Sequence, residues 1–224
     1  YLKCLKLIGI DDAGRGPVLG PMVLSGVMVD DESEEKVLQE MGAKDSKLIY
    51  PNKRKKLADE IVKTYAFHTE VVSPKEIDDF PNLNNLEALK CGIVINTLLK
   101  DIDEKVKVIV DCPSVNVEAW TDTLLSAIIK KDLVDLHCLH KADLKYPVVS
   151  AASIVAKEAR EAEIKALKKK LGVNFGSGYP SDPKTKDFLV KTYGDTKYDT
   201  LIRKSWITYK KVREKFGQQK LYYL

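Results

Sequence analysis

The chain opens on two apolar runs, Leu5–Asp11 (LKLIGID) and Pro21–Asp30 (PMVLSGVMVD), which predict two strands joined by a glycine-rich turn. Acidic residues lead and Gly42 closes the segment DESEEKVLQEMG, the charge order of a short helix. In YPNKRKKLADEIVKTY, Pro51 opens a helix whose apolar face is Leu57, Ile61 and Val62 and whose other face is basic. AFHTEVV is a third strand. Leu86, Leu89, Ile93, Ile95, Leu98 and Leu99 give Leu86–Leu99 the pattern of a helix buried along one side.

Val106–Pro113 (VKVIVDCP) is β-branched on both pleat faces and stopped by proline, as in a buried central strand ending at Asp111. A helix over Val117–Lys131 and a strand near Asp135–Ala142 follow. Pro147–Gly172 reads as one long helix with small residues along one face. NFGSGYPSDPKT is a loop, and Phe188–Gln219 is mostly helical and basic. The alternation predicts an α/β domain with a helical C-terminal part, the boundary lying near Gly172–Pro183.

Composition narrows the class. At 224 residues, 44% hydrophobic and 31% charged, the chain can bury a substantial core and has the balance of a globular protein. No apolar run approaches the ~18 residues that cross a bilayer. No charged-then-apolar leader is recognisable, so a cytoplasmic protein without membrane contact is expected, and a monomer. Cys4, Cys91, Cys112 and Cys138 are dispersed, as reduced thiols are, and form no zinc pattern. A net charge of +4 permits a polyanionic partner without demanding one.

Acidic residues stand where strands end: Asp11 and Asp12, Asp111, and Asp143. Ligand sites of open α/β sheets collect at the carboxyl ends of strands, so these segments can converge. Converging carboxylates repel unless cations neutralise them, and all-oxygen ligands favour magnesium or manganese. Two such ions ~4 Å apart can activate water and stabilise a leaving oxygen in phosphoryl transfer. The chain has 33 acidic residues, so capping or solvation is the default for any one of them, and spacing alone does not bring these four together.

The wording around them does more. GIDDAGRGPVLGPMV, KDSKL (Lys44–Leu48), VIVDCP, KADLKYPVVSAASIVAK (Lys141–Lys157) and GSGYPSDPKT (Gly176–Thr185) together resemble ribonuclease HII, the type 2 ribonucleases H, in order and over nearly the whole chain. RKSW at Arg203–Trp206 points to the archaeal branch. The resemblance implies a ribonuclease H-like fold, a mixed central sheet flanked by helices. Its domains would be a catalytic one over residues 1–175 and a helical C-terminal segment over 176–224 that assists substrate binding. It implies a metal-dependent endoribonuclease that hydrolyses the RNA strand of RNA–DNA hybrids. Such an enzyme also cuts 5′ of a single ribonucleotide in duplex DNA, leaving a 3′-hydroxyl and a 5′-phosphate.

By the same resemblance Asp11, Asp12, Asp111 and Asp143 are the catalytic metal ligands, for Mg2+ or Mn2+, two ions per site. Gly14, Arg15 and Gly16 would read the ribose 2′-hydroxyl through their backbone, as glycines allow close approach to a sugar. Tyr179 would stack near that sugar, and Lys47 would steady a phosphate. One position departs: the family's pair is Asp-Glu, whereas this chain has Asp11-Asp12. The shorter side chain loses ~1.5 Å of reach. A hybrid-binding protein with weakened or absent catalysis is therefore the alternative reading. Type 3 enzymes, with lysine in the Gly-x-Gly tripeptide, and nucleotide-binding loops fit less well, the latter because GRGPVLG is no phosphate-loop motif.

Adjacent carboxylates serving one site also imply that the pleat ends at Asp11, since successive strand residues face opposite ways. Ser150, Ser153 and Lys157 are expected to serve the packing and capping of their helix, with a substrate contact considered only for Lys157. His68, His137 and His140 have no expected catalytic role. Lys210–Lys215, with Arg203 and Trp206 nearby, is the basic cluster best suited to gripping a duplex. In the tail GQQKLYYL, Gln218, Leu221 and Leu224 have the spacing of sliding-clamp-binding tails, although Tyr222 and Tyr223 are out of register.

Overall fold

The computed structural model describes residues 5–43 and 49–221, with side chains as far as Phe216. The strands are β1 (Lys6–Ala13), β2 (Met22–Val29), β3 (Ala66–Val72), β4 (Val106–Asp111) and β5 (Val134–Leu139). The helices are α1 (Glu34–Met41), α2 (Pro51–Thr64), α3 (Pro74–Asp79), α4 (Leu83–Leu98), α5 (Val117–Ala127), α6 (Pro147–Leu171), α7 (Pro183–Lys191) and α8 (Ile207–Leu221). The strands form one sheet in the order β3-β2-β1-β4-β5, with β1 antiparallel to β2 and parallel to β4, and β4 parallel to β5. This is the mixed, helix-flanked sheet expected.

The chain divides into two compact units. The first, residues 1–13, 23–71 and 82–159, contains nearly all of the sheet. Its core joins Leu7, Val27, Val29 and Ile109 to Leu57 and Ile61 of α2 and to Val148–Val155 of α6. Gly9 explains how α6 comes so near. A Cβ there would lie 2.4 Å from the Val148 carbonyl carbon and 2.5 Å from the Val149 nitrogen, so only glycine lets the helix backbone rest on β1. On the opposite sheet face, Gly26 makes room for Val94 and Leu98 of α4 in the same way.

The second unit takes residues 14–22, 72–81 and 160–224. Its core is Val18, Leu19, Ile164, Phe175, Phe188, Leu189, Tyr198, Leu201 and Ile202. Phe188 packs edge-on against Tyr198, with centroids 5.0 Å apart, and Tyr193 stacks on Phe216 of α8 at 4.6 Å. Leu19 bridges to Ile202, and Gly178 accepts from the Val18 and Leu19 N–H groups.

The stretch 188–219 is mostly helical, as expected: it holds the end of α7 and most of α8, separated by Gly194, whose φ of 85° is left-handed, and by an irregular run. Elsewhere the structure departs from the sequence reading. The helix expected over 117–131 ends at Ala127, where the cap Ile128 turns extended. And α3 was unforeseen, although Ser73 and Glu76 form a reciprocal capping box with Pro74 at the first position, a signal the sequence does carry.

Candidate active site

In the first unit, β1 runs on through Asp12, paired with Leu24, to Ala13, paired with Val23. The pleat therefore does not end at Asp11, and the expectation that it would is corrected. β-bridging to β2 continues past the carboxylates, so Asp11 and Asp12 lie on opposite faces of the sheet. Asp11 shares its face with Gly9 and takes a hydrogen bond from Ser153 of α6. The match is metrical: Val148 to Ser153 advances ~7.5 Å along a helix and Gly9 to Asp11 ~6.6 Å along a strand. Asp12 shares its face with Ile10 on the α4 side, where Asp12 is the foremost charge acting on the Cys91 thiol.

Asp111 ends β4. Ile10 pairs with Val110, so one further step sets Asp11 level with Asp111, on the same face. One Asp111 carboxylate oxygen accepts from the Ala142 N–H at 2.9 Å. That N–H belongs to the 3-10 turn Ala142–Leu144, which follows β5 after Lys141 enters the left-handed region at φ 55°. The turn places Asp143 one residue from the group that anchors Asp111, and Asp143 is buried at 8% exposure. Cys112 N–H donates to the Leu139 carbonyl at 2.9 Å, and His140 Nδ1 to the Cys112 carbonyl at 2.9 Å, closing the strand ends together.

Electrostatics distinguish Asp11. It is 7% exposed, and burial pushes its carboxyl well above the usual range. The Asp12 charge adds to that rise, the Ser153 hydrogen bond opposes it, Asp111 adds again, and the Asp12 N–H, 2.7 Å from one oxygen, opposes. An ionised Asp11 is thus held among like charges. Among the described residues no group of three His, Cys, Asp or Glu side chains is set as a finished metal site. The donors at the strand ends are nevertheless all hard oxygens, and a dication would relieve the charge that burial and repulsion penalise. The residues present fit magnesium or manganese.

In the second unit, Gly14–Gly16 is gripped from within. Gly14 has φ 91°, and Arg203, with no exposed surface, donates Nη2 to the Gly14 carbonyl at 2.7 Å. Its Nη1 reaches the Arg15 carbonyl at 2.9 Å and its Nε the Gly20 carbonyl at 2.9 Å. Trp206 Nε1 donates to the Gly16 carbonyl at 3.1 Å, and its ring lies 4.9 Å from the Arg203 guanidinium carbon. The turn that carries them is fastened by Asp78 of α3, whose carboxylate takes the Lys204 N–H at 2.6 Å and the Ser205 N–H at 2.9 Å.

Arg203 was expected beside a duplex-gripping cluster. Its complete burial removes it from any duplex, and it holds the tripeptide instead. Lys210, Lys211, Arg213 and Lys215 are exposed on α8. Tyr179 is 41% exposed, and a Cβ built on Gly16 would lie 3.6 Å from its Cε1. The sequence reading missed Arg160 altogether: it is 4% exposed, with its guanidinium carbon 5.4 Å from the Tyr179 ring centroid. It also gave Ser153 a role in packing and capping its helix, whereas the hydroxyl serves Asp11. Lys47 lies outside the described residues, as do the side chains of the tail from Gly217 onward, Gln218 and Leu221 included, and Tyr222, Tyr223 and Leu224.

A five-stranded 3-2-1-4-5 sheet with carboxylates at the ends of β1 and β4 and just beyond β5 defines a ribonuclease H-like protein. The ribonuclease HII family model matches residues 8–209. Ribonuclease HII of Pyrococcus horikoshii is 41% identical over 222 residues, covering 97% of each chain. The crystal structure of the ribonuclease H2 from Pyrococcus horikoshii OT3 superposes with a TM-score of 0.81 at 38% identity, over 95% of this chain and 99% of that one. The ribonuclease HII of Archaeoglobus fulgidus, solved in complex with PCNA, gives 0.78 at 36% identity, over 90% and 95%. The chain belongs to the ribonuclease HII family, in its archaeal type.

Proposed function

We propose that the chain is a metal-dependent endoribonuclease that hydrolyses the RNA strand of RNA–DNA hybrids. It also cuts 5′ of a single ribonucleotide in duplex DNA, leaving a 3′-hydroxyl and a 5′-phosphate. The observation that carries this is the run of carboxylates at the carboxyl ends of β1 and β4 and in the turn after β5, with Asp11 buried on β1.

Asp11, Asp12, Asp111 and Asp143 would hold Mg2+ or Mn2+, two ions during catalysis. Bound divalent metal supplies a nucleophilic water at neutral pH and charge stabilisation at the scissile phosphate. The protein's own part is orientation. Ser153 holds the Asp11 carboxyl, and the Ala142 N–H holds that of Asp111, so the ligands need little reordering. Asp12 must serve from the opposite sheet face, which makes its reach matter.

Gly14, Arg15 and Gly16 would meet the ribose 2′-hydroxyl, and Tyr179 would stack on that sugar. Their fit to this work is physical. Arg203 and Trp206 engage all three carbonyl groups of the tripeptide, fixing its shape before substrate arrives. The missing side chain of Gly16 keeps the space before the Tyr179 ring clear. Segment 176–224, with the exposed cations of α8, would assist duplex binding, and Lys47 would contact a phosphate. A sliding clamp is a partner by analogy with the Archaeoglobus fulgidus complex.

The test is a DNA duplex carrying one ribonucleotide, beside an all-DNA control, with product ends mapped. Cleavage 5′ of the ribonucleotide with 3′-hydroxyl and 5′-phosphate ends is expected. Tight binding of the duplex with no cleavage in either metal would instead establish the binding-only reading that Asp12 raises.

A further inference from the structure

Arg160, on the part of α6 that belongs to the second unit, is a buried cation placed against two of the proposed ribonucleotide-reading groups at once. A Cβ on Gly14 would fall 2.2 Å from its Nε and 2.4 Å from its Cδ, so the guanidinium end lies directly against that glycine. Its Nε donates to the Pro21 carbonyl at 3.2 Å, at the far end of the same glycine-rich segment. Its plane neighbours the Tyr179 ring at 5.4 Å. Yet its Nη2 is buried and has no hydrogen-bond partner among the described residues.

That combination is uneconomical for a purely structural arginine. A charged donor kept from water without an acceptor destabilises the fold, and buried polar groups are otherwise almost always paired. The neighbouring Arg203 shows the paired alternative, with one guanidinium satisfying three carbonyl groups. A donor left over beneath Gly14 and Tyr179 fits an acceptor that arrives with the ligand.

We propose that Arg160 is a specificity-determining residue: it sets Tyr179 and the Gly14 turn as one unit and, once substrate binding shifts the groups that cover it, gives its spare Nη2 hydrogen to an oxygen of the bound ribonucleotide. The inference rests on the reading of Gly14–Gly16 and Tyr179 as the ribonucleotide pocket. The chemistry recognised is an oxygen acceptor on the sugar–phosphate of a ribonucleotide flanked by DNA. A lysine cannot substitute, since its compact ammonium has neither the planar face nor the fixed fork of the guanidinium.

The experiment compares kcat/KM on a duplex with one ribonucleotide and on a uniform RNA–DNA hybrid. It uses the full chain and its Arg160→Met, Arg160→Lys, Tyr179→Ala and Arg160→Met/Tyr179→Ala variants, each checked for folding by thermal melting. The loss of one charged hydrogen bond and one cation–ring contact predicts a 10- to 100-fold fall for Arg160→Met on the single ribonucleotide, on the order of 1.4 kcal/mol per tenfold. The hybrid, with riboses on both sides of every bond, should fall less. Arg160→Lys should restore little, and the double variant should fall well short of the product of the single losses.

Multiplicative losses, equal losses on both substrates, or full activity in folded Arg160→Lys would overturn the inference. Should Arg160→Met fail to fold, Arg160→Lys carries the same comparison. Wild-type protein that cleaves neither substrate would sink the functional reading, and this inference with it, whereas wild-type cleavage with indifferent Arg160 variants sinks this inference alone.

Discussion

Replacing Arg203 with methionine tests how the tripeptide is held. The side chain has no exposed surface and supplies three hydrogen bonds, to the carbonyls of Gly14, Arg15 and Gly20 at 2.7–2.9 Å. A hydrogen bond from a charged donor contributes ~1.5–3 kcal/mol, so simple addition gives at least ~4.5 kcal/mol. Losses within one network overlap, and methionine refills part of the volume, so a cost of ~3–4 kcal/mol is expected. That is a large fraction of the ~5–15 kcal/mol that stabilises a whole domain. Arg203→Lys, one ammonium facing three carbonyl groups, should cost about half as much.

Urea denaturation followed by tryptophan fluorescence reads this locally. The chain has two tryptophans, and Trp206 is the one stacked on Arg203. Trp120, in the first unit, can be changed to phenylalanine, since its indole nitrogen is buried with no hydrogen-bond partner among the described residues. In that background Arg203→Met should shift the Trp206 transition to markedly lower urea. A shift equivalent to less than ~1 kcal/mol would refute the reasoning, because it would mean that the three carbonyl groups are as well satisfied without the guanidinium.

Two further outcomes follow from the carboxylates. Asp11 has a folded-state pKa raised by burial first and then by Asp12, so the folded protein binds its proton more tightly than the unfolded chain. The metal-free protein should therefore lose stability as pH rises from the ordinary aspartate range to the raised value, and Asp11→Asn should flatten that slope while removing stabilisation by Mg2+; melting curves across pH with and without metal decide it. Asp12→Glu restores ~1.5 Å of reach from the opposite sheet face, so turnover in Mg2+ should rise by up to ~10²-fold. Unchanged turnover would show that the shorter carboxylate is already accommodated.

Most of the architecture was legible because its signals are local. Periodicity marked all five strands, and Gly9, where only a hydrogen fits beneath Val148, sits in the same sentence of sequence as the carboxylates it helps place. What periodicity could not show was how far β1 would go. An Asp-Asp pair looks like a strand end, but pairing with Leu24 and Val23 extends it, and only the partner strand carries that information. The carboxylates themselves were identified through the wording around them, not through spacing.

The second unit was harder to read, for a physical reason. Arg160 and Arg203 are charged residues in a basic half of the chain, where solvation or phosphate contact is the ordinary expectation. Both are buried, and Arg203 is committed to backbone carbonyls of residues more than 180 positions away in sequence. No local pattern announces a side chain whose partners are peptide groups from the other end of the chain. A cue did exist for Arg203, in the Arg-Lys-Ser-Trp block that accompanied the family's other motifs. None existed for Arg160.

The measurement that bears most directly on the whole account is metal-dependent cleavage of a DNA duplex containing one ribonucleotide, comparing wild-type protein with Asp111→Asn. With Mg2+ or Mn2+ the wild type should cut once, 5′ of the ribonucleotide, should stop when the metal is chelated, and should lose the activity with Asp111→Asn while its fold persists. Cleavage that survives chelation, or a fully active Asp111→Asn, would contradict the claim that carboxylates at the strand ends hold the metal that does the cutting.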